Sequence, residues 1–137
     1  MIRKIAVLSI ILCFISQWAL AKKRIYPIQE ITSIADLIVT GKIISVTGNT
    51  YFFSIDQTIK GKQSKQIIVK MFQEWTCDFR KKKAEIGQSL MLFLKANSKD
   101  SFEIINGSTG ELFIINEKVE GIWGFEAESV NDVTIGL

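Results

Sequence analysis

The chain contains no histidine. That absence excludes a Ser-His-Asp triad, a Cys-His nucleophile pair and every histidine-based metal site. Cysteine is almost as scarce, with only Cys13 and Cys77. A zinc site would have to be assembled from Cys77 and carboxylates, outside the usual nitrogen and sulfur ligand set. We therefore expect neither a metal nor a cofactor. A hydrolase without histidine would have to use paired carboxylates or a Ser-Lys pair. Asp56 and Glu74 are the raw material for the first, but no cluster in the sequence points to either, and a non-enzymatic protein is expected.

The first twenty-one residues read as a secretory signal. Arg3 and Lys4 give a positive start, Ile5 to Ile15 form an apolar run, and Ala19-Leu20-Ala21 has the small-x-small pattern of a cleavage site. A run of eleven residues falls short of the ~20 that span a bilayer as a helix, so no transmembrane span is expected after cleavage. Cys13 lacks the small residues that precede a lipidated cysteine. The expected cut between Ala21 and Lys22 places the protein in the periplasm or the medium. The mature chain, residues 22–137, has a length suited to one domain with one core. Cleavage also removes Cys13, so an internal disulfide is excluded and stability must come from packing. The remaining thiol of Cys77 is either buried and inert or open to another molecule, which would allow a monomer or a dimer disulfide-linked through Cys77.

Charge is unevenly distributed. Residues 22–99 carry fourteen basic and six acidic groups, whereas residues 100–137 carry eight acidic groups and one basic residue, Lys118. Aliphatic residues continue through both halves, which favours one domain whose strands interleave and neutralise each other over a basic module with an acidic tail.

Pro27 can open a short helix through Ala35 that places Ile28, Ile31 and Ile34 on one face. From Leu37 the pattern is β. Leu37 to Thr47 is interrupted by Gly41, where a strand can bend or bulge. Gly48-Asn49 is a hairpin pair. Thr50 to Ile59 alternates Tyr51, Phe53, Ile55 and Ile59 with Ser54, Asp56 and Thr58, the mark of a half-buried antiparallel strand. Gln66 to Gln73 is a third strand. Gln88 to Ala96 is apolar on both faces and should be central. Ser101 to Asn106 and Glu111 to Asn116 follow, the latter pairing with Val119 to Phe125 around Glu117-Lys118. Short strands with frequent turns and no βαβ alternation predict a mainly β chain, a small antiparallel barrel or sandwich with a short N-terminal helix. Closure into a barrel removes the apolar edges these strands would otherwise expose.

The segment Ala35-Asp36-Leu37-Ile38-Val39-Thr40-Gly41-Lys42-Ile43 resembles the first barrel strand of the netrin-like fold, which includes the tissue inhibitors of metalloproteinases. The strand Tyr51 to Ile59 ending in Lys60-Gly61, and Thr76-Cys77 before the apolar strand Ser89 to Leu94, match in the same order. The likeness runs from about Ile34 to Ile115. It implies an OB-like five-stranded barrel that is secreted and acts by binding. It also implies a limit. Those inhibitors chelate the protease zinc through an N-terminal cysteine that is disulfide-bonded to a mid-chain one. Here Lys22 stands at the expected terminus, Cys77 fits the mid-chain position, and residues 22–34 contain no cysteine. Metalloprotease inhibition by that mechanism is not carried over.

The long connection Glu74 to Gly87 holds the candidate binding loop: Trp75, Cys77, Arg80, Lys81, Lys82 and Lys83. An aromatic, a thiol and four consecutive cations form a binding lip for a protein or envelope-surface partner or, alternatively, for a small ligand or polyanion. The plainer reading is a solvated basic loop with Trp75 in the core. Nucleic acid is not an expected partner of an exported chain. Lys22-Lys23-Arg24 reads as a mobile basic end, or as a contact for anionic lipid headgroups. Trp123 reads as core or as an exposed aromatic anchor, and Asn106-Gly107-Ser108 fits a glycosylation triplet.

Overall fold

The computed structural model describes residues 22–120 and the short strand Glu128–Ser129. The expected signal, Trp123 and most of the expected strand Val119 to Phe125 lie outside the described residues. The chain runs through helix α1 (Ile28–Ile34) and strands β1 (Leu37–Thr47), β2 (Thr50–Lys60), β3 (Gln66–Lys70), β4 (Ser89–Ala96), β5 (Ser101–Ile104), β6 (Glu111–Ile115), β7 (Lys118–Val119) and β8 (Glu128–Ser129). Among the described residues no helix is long and apolar enough to cross a membrane.

Five strands close a barrel in the order β1-β2-β3-β5-β4, with β4 returning to β1. All pairings are antiparallel except β3 with β5, where Ile68, Val69 and Lys70 run parallel to Ser101, Phe102 and Glu103. This strand order is that of an OB-like barrel. The closure follows from β4. On one side it pairs with β1 from Leu37↔Leu94 to Lys42↔Ser89. Its other side is shared between β5 (Leu94 to Ala96) and β6 (Leu90 to Leu92). A strand paired on both sides and covered on both faces must be apolar throughout. Leu90, Leu92 and Leu94 therefore point into the barrel with Leu37, Val39, Tyr51, Phe53 and Val69, while Met91 and Phe93 point outward.

Helix α1 covers that outer face. The Pro27 carbonyl accepts from the amides of Glu30 and Ile31, and Lys60 Nζ donates to the carbonyls of Thr32 and Ser33 at its end. Ile31 and Ala35 pack on Ile38, Met91, Phe93, Leu112 and Val119. Ile34 is 41 % exposed, so the buried stripe runs Ile28, Ile31, Ala35 rather than through Ile34. The reason is that Ala35 leaves the helix in extended conformation and turns its methyl to the sheet.

Gly41 sits at a register shift between Thr40↔Gln57 and Gly41↔Ile55. A Cβ there would collide with the Ser54 carbonyl, so the bulge and the close approach of β1 to β2 both need glycine. The third strand stops at Lys70, not Gln73: the Met71 amide makes a last bond to the Asn49 carbonyl, and the Met71 and Phe72 side chains pack against the barrel core. The β6–β7 turn falls on Asn116 and Glu117, both at positive φ, one residue before the expected Glu117-Lys118. Replacing the fully packed Ile31 by alanine should cost about 2–5 kcal/mol. Ile34→Ala should stay within about 1 kcal/mol. Urea unfolding of the two variants checks which face of α1 is buried, and equal losses would contradict the packing described.

Candidate functional site

The connection from β3 to β4, residues 71–88, crosses one mouth of the barrel. Its geometry begins with three side chains that meet inside that mouth. Tyr51 points inward from β2 and is fully buried, because β2 places every second residue in the core. Glu111 opens β6 directly after Gly110, paired with Leu92, and its side chain is 1 % exposed. Arg80 reaches in from the connection with its side chain 6 % exposed. Arg80 Nη2 donates to Glu111 Oε1, and Tyr51 Oη donates to Glu111 Oε2 at 3.2 Å. The guanidinium also lies 5.6 Å from the Tyr51 ring centroid and donates through Nη1 to Met71 Sδ at 3.1 Å. Arg80 Nε is buried with no hydrogen-bond partner among the described residues.

Burial pushes the Glu111 carboxyl above its ordinary value, and the Arg80 charge and hydrogen bond pull it back without cancelling the shift. Burial, followed by the Glu111 charge, holds the Tyr51 phenol well above its ordinary range. A phenol raised in this way is no base near neutral pH, and the carboxylate is shielded behind the connection. The trio is a polar plug that ties the connection to the barrel.

A second tie joins the connection to the amino-terminal segment. Trp75 and Asp78 exchange backbone hydrogen bonds at 2.9 and 2.8 Å around a tight turn at Thr76-Cys77. The Asp78 carboxylate is buried, where it accepts from Lys23 Nζ at 2.8 Å and from the Ser108 amide at 3.1 Å. Lys23 Nζ also donates to Ser108 Oγ at 2.9 Å. Gly107, at φ +57, passes so close to this carboxylate that a Cβ would collide with it. The amino-terminal basic segment is therefore not a loose end: Lys23 is pinned, and Arg24 pairs with Glu30 and lies over the Tyr26 ring. Asn106 Nδ2 is buried at the head of the Gly107–Thr109 turn, which sets it against the glycosylation reading of that triplet.

The six residues of the expected binding loop divide sharply. Arg80 is turned inward as the counter-ion of Glu111, so it is a structural cation rather than part of a solvated run. Lys81 pairs with Glu120 at 3.1 Å. Lys82 and Lys83 are exposed. Trp75 is 42 % exposed and not in the core, because the two-residue turn faces it outward. Cys77 occupies the turn itself and is exposed rather than buried. The structure adds Phe79, 62 % exposed, and Ile86, 71 % exposed, to the same connection. Asp56 is exposed on β2, while Glu74 accepts the Arg80 amide at 2.7 Å. Among the described residues no cluster of three or more cysteine or acidic side chains is placed to hold a metal ion.

Two hollows flank Arg80. A cavity of about 260 Å³ is walled by Phe72, Phe79 and Phe113, with Cys77, Asp78 and Glu111 at its polar side. A wider groove of about 910 Å³ runs between the β1–β2 turn and the connection, past Val46, Met71, Phe72, Lys83 and Ile104. No protein-family model, curated protein or solved structure matches the chain.

Sequence reasoning missed Tyr51, Glu111, Asp78 and Lys23 as parts of this site. The available signal was a lone acid at the head of the apolar strand Glu111–Ile115, which demands a buried partner. Arg80→Ala leaves that carboxylate uncompensated, and should cost about 3–5 kcal/mol at neutral pH. Because the folded-state pKa of Glu111 lies above its unfolded value near 4.5, its protonation favours the folded chain. That contribution is present below pH 4.5 and is lost as pH rises through the folded value. The Arg80→Ala deficit should therefore shrink on acidification and grow toward neutral pH, as read by denaturant unfolding. Arg80→Met with Glu111→Leu should recover most of the loss, and a double variant no better than the single one would contradict the plug.

Proposed function

We propose that the protein is an exported, non-enzymatic binding module of OB-like fold that engages its partner through the β3–β4 connection. One observation carries this reading. Trp75, Phe79 and Ile86 expose large apolar surface on a single connection that is braced from beneath by Arg80–Glu111 and from the side by Lys23–Asp78. Solvent-exposed aromatics on a rigid support are the usual anchors of a binding surface, because little ordering entropy remains to be lost on contact. A merely solvated loop would not need two buried ion pairs to hold it. Export is supported by the tripartite leader that ends at Ala21.

A polyanion ligand is the second reading, favoured by the exposed Lys82 and Lys83 beside the groove. It is the weaker one, since Arg80 and Lys81 already have counter-ions. The netrin-like resemblance fits a binding role, with Lys22, the residue after the expected cut, in place of a chelating cysteine.

A photo-crosslinking amino acid placed at Phe79 in producing cells should give a discrete adduct. The same group at Ser98, an exposed residue in the β4–β5 turn at the other end of the barrel, should give none. Equal labelling at the two positions, or none at either, would remove the connection as the binding edge.

A further inference from the structure

We propose that the edge formed by the β3–β4 connection and the amino-terminal segment docks on an anionic lipid surface, that of the membrane across which the chain is exported. The inference rests on the reading of the connection as the binding edge and names what that edge meets. Its starting point is the Lys23–Asp78 contact. The apolar leader ends at Ala21, and two further residues span at most about 7 Å of extended chain. Lys23 Nζ is already 2.8 Å from Asp78 Oδ1, in the turn that carries Trp75 and precedes Phe79. Lys23, two residues after the leader, is thus held against this turn and against Ser108, so this edge lies next to the point where the mature chain begins.

The chemistry of the edge suits that position. Tryptophan is the side chain most at home at the headgroup level, where an apolar ring and a polar N–H both find partners. Trp75 and Phe79 are four residues apart across the turn, 42 and 62 % exposed. Lys22, Lys82 and Lys83 are exposed nearby, and each lysine close to an anionic surface adds roughly 1 kcal/mol of attraction. Three of the acids that would oppose them are engaged in ion pairs. Asp78 is held by Lys23, Glu120 by Lys81 and Glu111 by Arg80, which leaves Glu74 and Glu85 as the exposed acids of this stretch against Lys22, Lys82 and Lys83. Neither the aromatics nor the lysines alone would hold the protein at a membrane. Together they give an interfacial contact that is salt-sensitive and reversible.

The test is partition of the purified protein, its amino terminus fixed by intact mass, onto vesicles of phosphatidylethanolamine and phosphatidylglycerol, against vesicles of phosphatidylcholine alone. Binding to the anionic vesicles should exceed binding to the neutral ones and fall with added salt. Lys82→Ser with Lys83→Ser should weaken it roughly 25-fold, two lysines at about 1 kcal/mol each. Phe79→Ser should weaken it with thermal unfolding unchanged, and Trp75 emission should shift to the blue on binding, a shift absent in Trp75→Phe. No preference for anionic vesicles, or a preference untouched by both substitutions, overturns the proposal. A protein adduct from a crosslinker at Phe79, with no vesicle binding, also overturns it while leaving the connection as the binding edge.

Discussion

Inside the mouth of an otherwise apolar barrel, a guanidinium and a carboxylate face each other with a phenol beneath them. Arg80 enters from an irregular connection, Glu111 from a strand and Tyr51 from the barrel wall. Neither charge is tolerable there alone, since an unpaired ion removed from water costs several kcal/mol. The pairing therefore fixes where the eighteen residues between β3 and β4 must lie. The connection has few hydrogen bonds of its own, chiefly the Trp75–Asp78 bridge, the Arg80 amide on Glu74 and Gln88 on the Lys83 carbonyl, and it is tied to the barrel by a contact made thirty-one residues downstream.

That shape has two consequences for the surface. Anchoring Arg80 inward pushes its neighbours outward, so that Phe79 and the lysines after it face solvent. The turn at Thr76-Cys77 then offers Asp78 to Lys23, which recruits the amino-terminal segment to the same edge. Two ion pairs of modest individual worth act as a geometric device more than as a source of stability. The bulk of the stability comes from two apolar layers that β4 separates, one inside the barrel and one beneath α1.

The barrel was legible from the sequence because its cause is local and periodic. Tyr51 and Phe53 alternate with polar neighbours, Gly41 breaks a β-branched run, and the unbroken apolar stretch from Leu90 to Leu94 is the pattern of a strand covered on both faces. Errors fell where a single contact overrides the period. Ile34 carries the right spacing for the buried stripe, yet Ala35 takes its place as the chain turns extended. The uneven charge of the two halves was also legible: Lys70–Glu103, Arg80–Glu111 and Lys81–Glu120 each join a base from the first to an acid from the second. Which base meets which acid was not, because Arg80 and Lys82 belong to one run of cations and only the three-dimensional path separates the buried one from the exposed one. Lys23 and Asp78 are fifty-five residues apart and carry no shared pattern.

The central claim is that the buried pair, and not the loop's own hydrogen bonds, orders the binding edge. Amide hydrogen exchange across residues 74–83, in the native chain and in the Arg80→Met, Glu111→Leu double variant, tests this most directly, because that variant keeps the mouth filled while removing the charges. The account predicts that the Asp78 and Arg80 amides lose protection together in the double variant while those of Val69 and Leu92 in the barrel keep theirs. Unchanged protection at Asp78 and Arg80 would contradict it, and would assign the order of the edge to the Trp75–Asp78 bridge and the Lys23 contact instead.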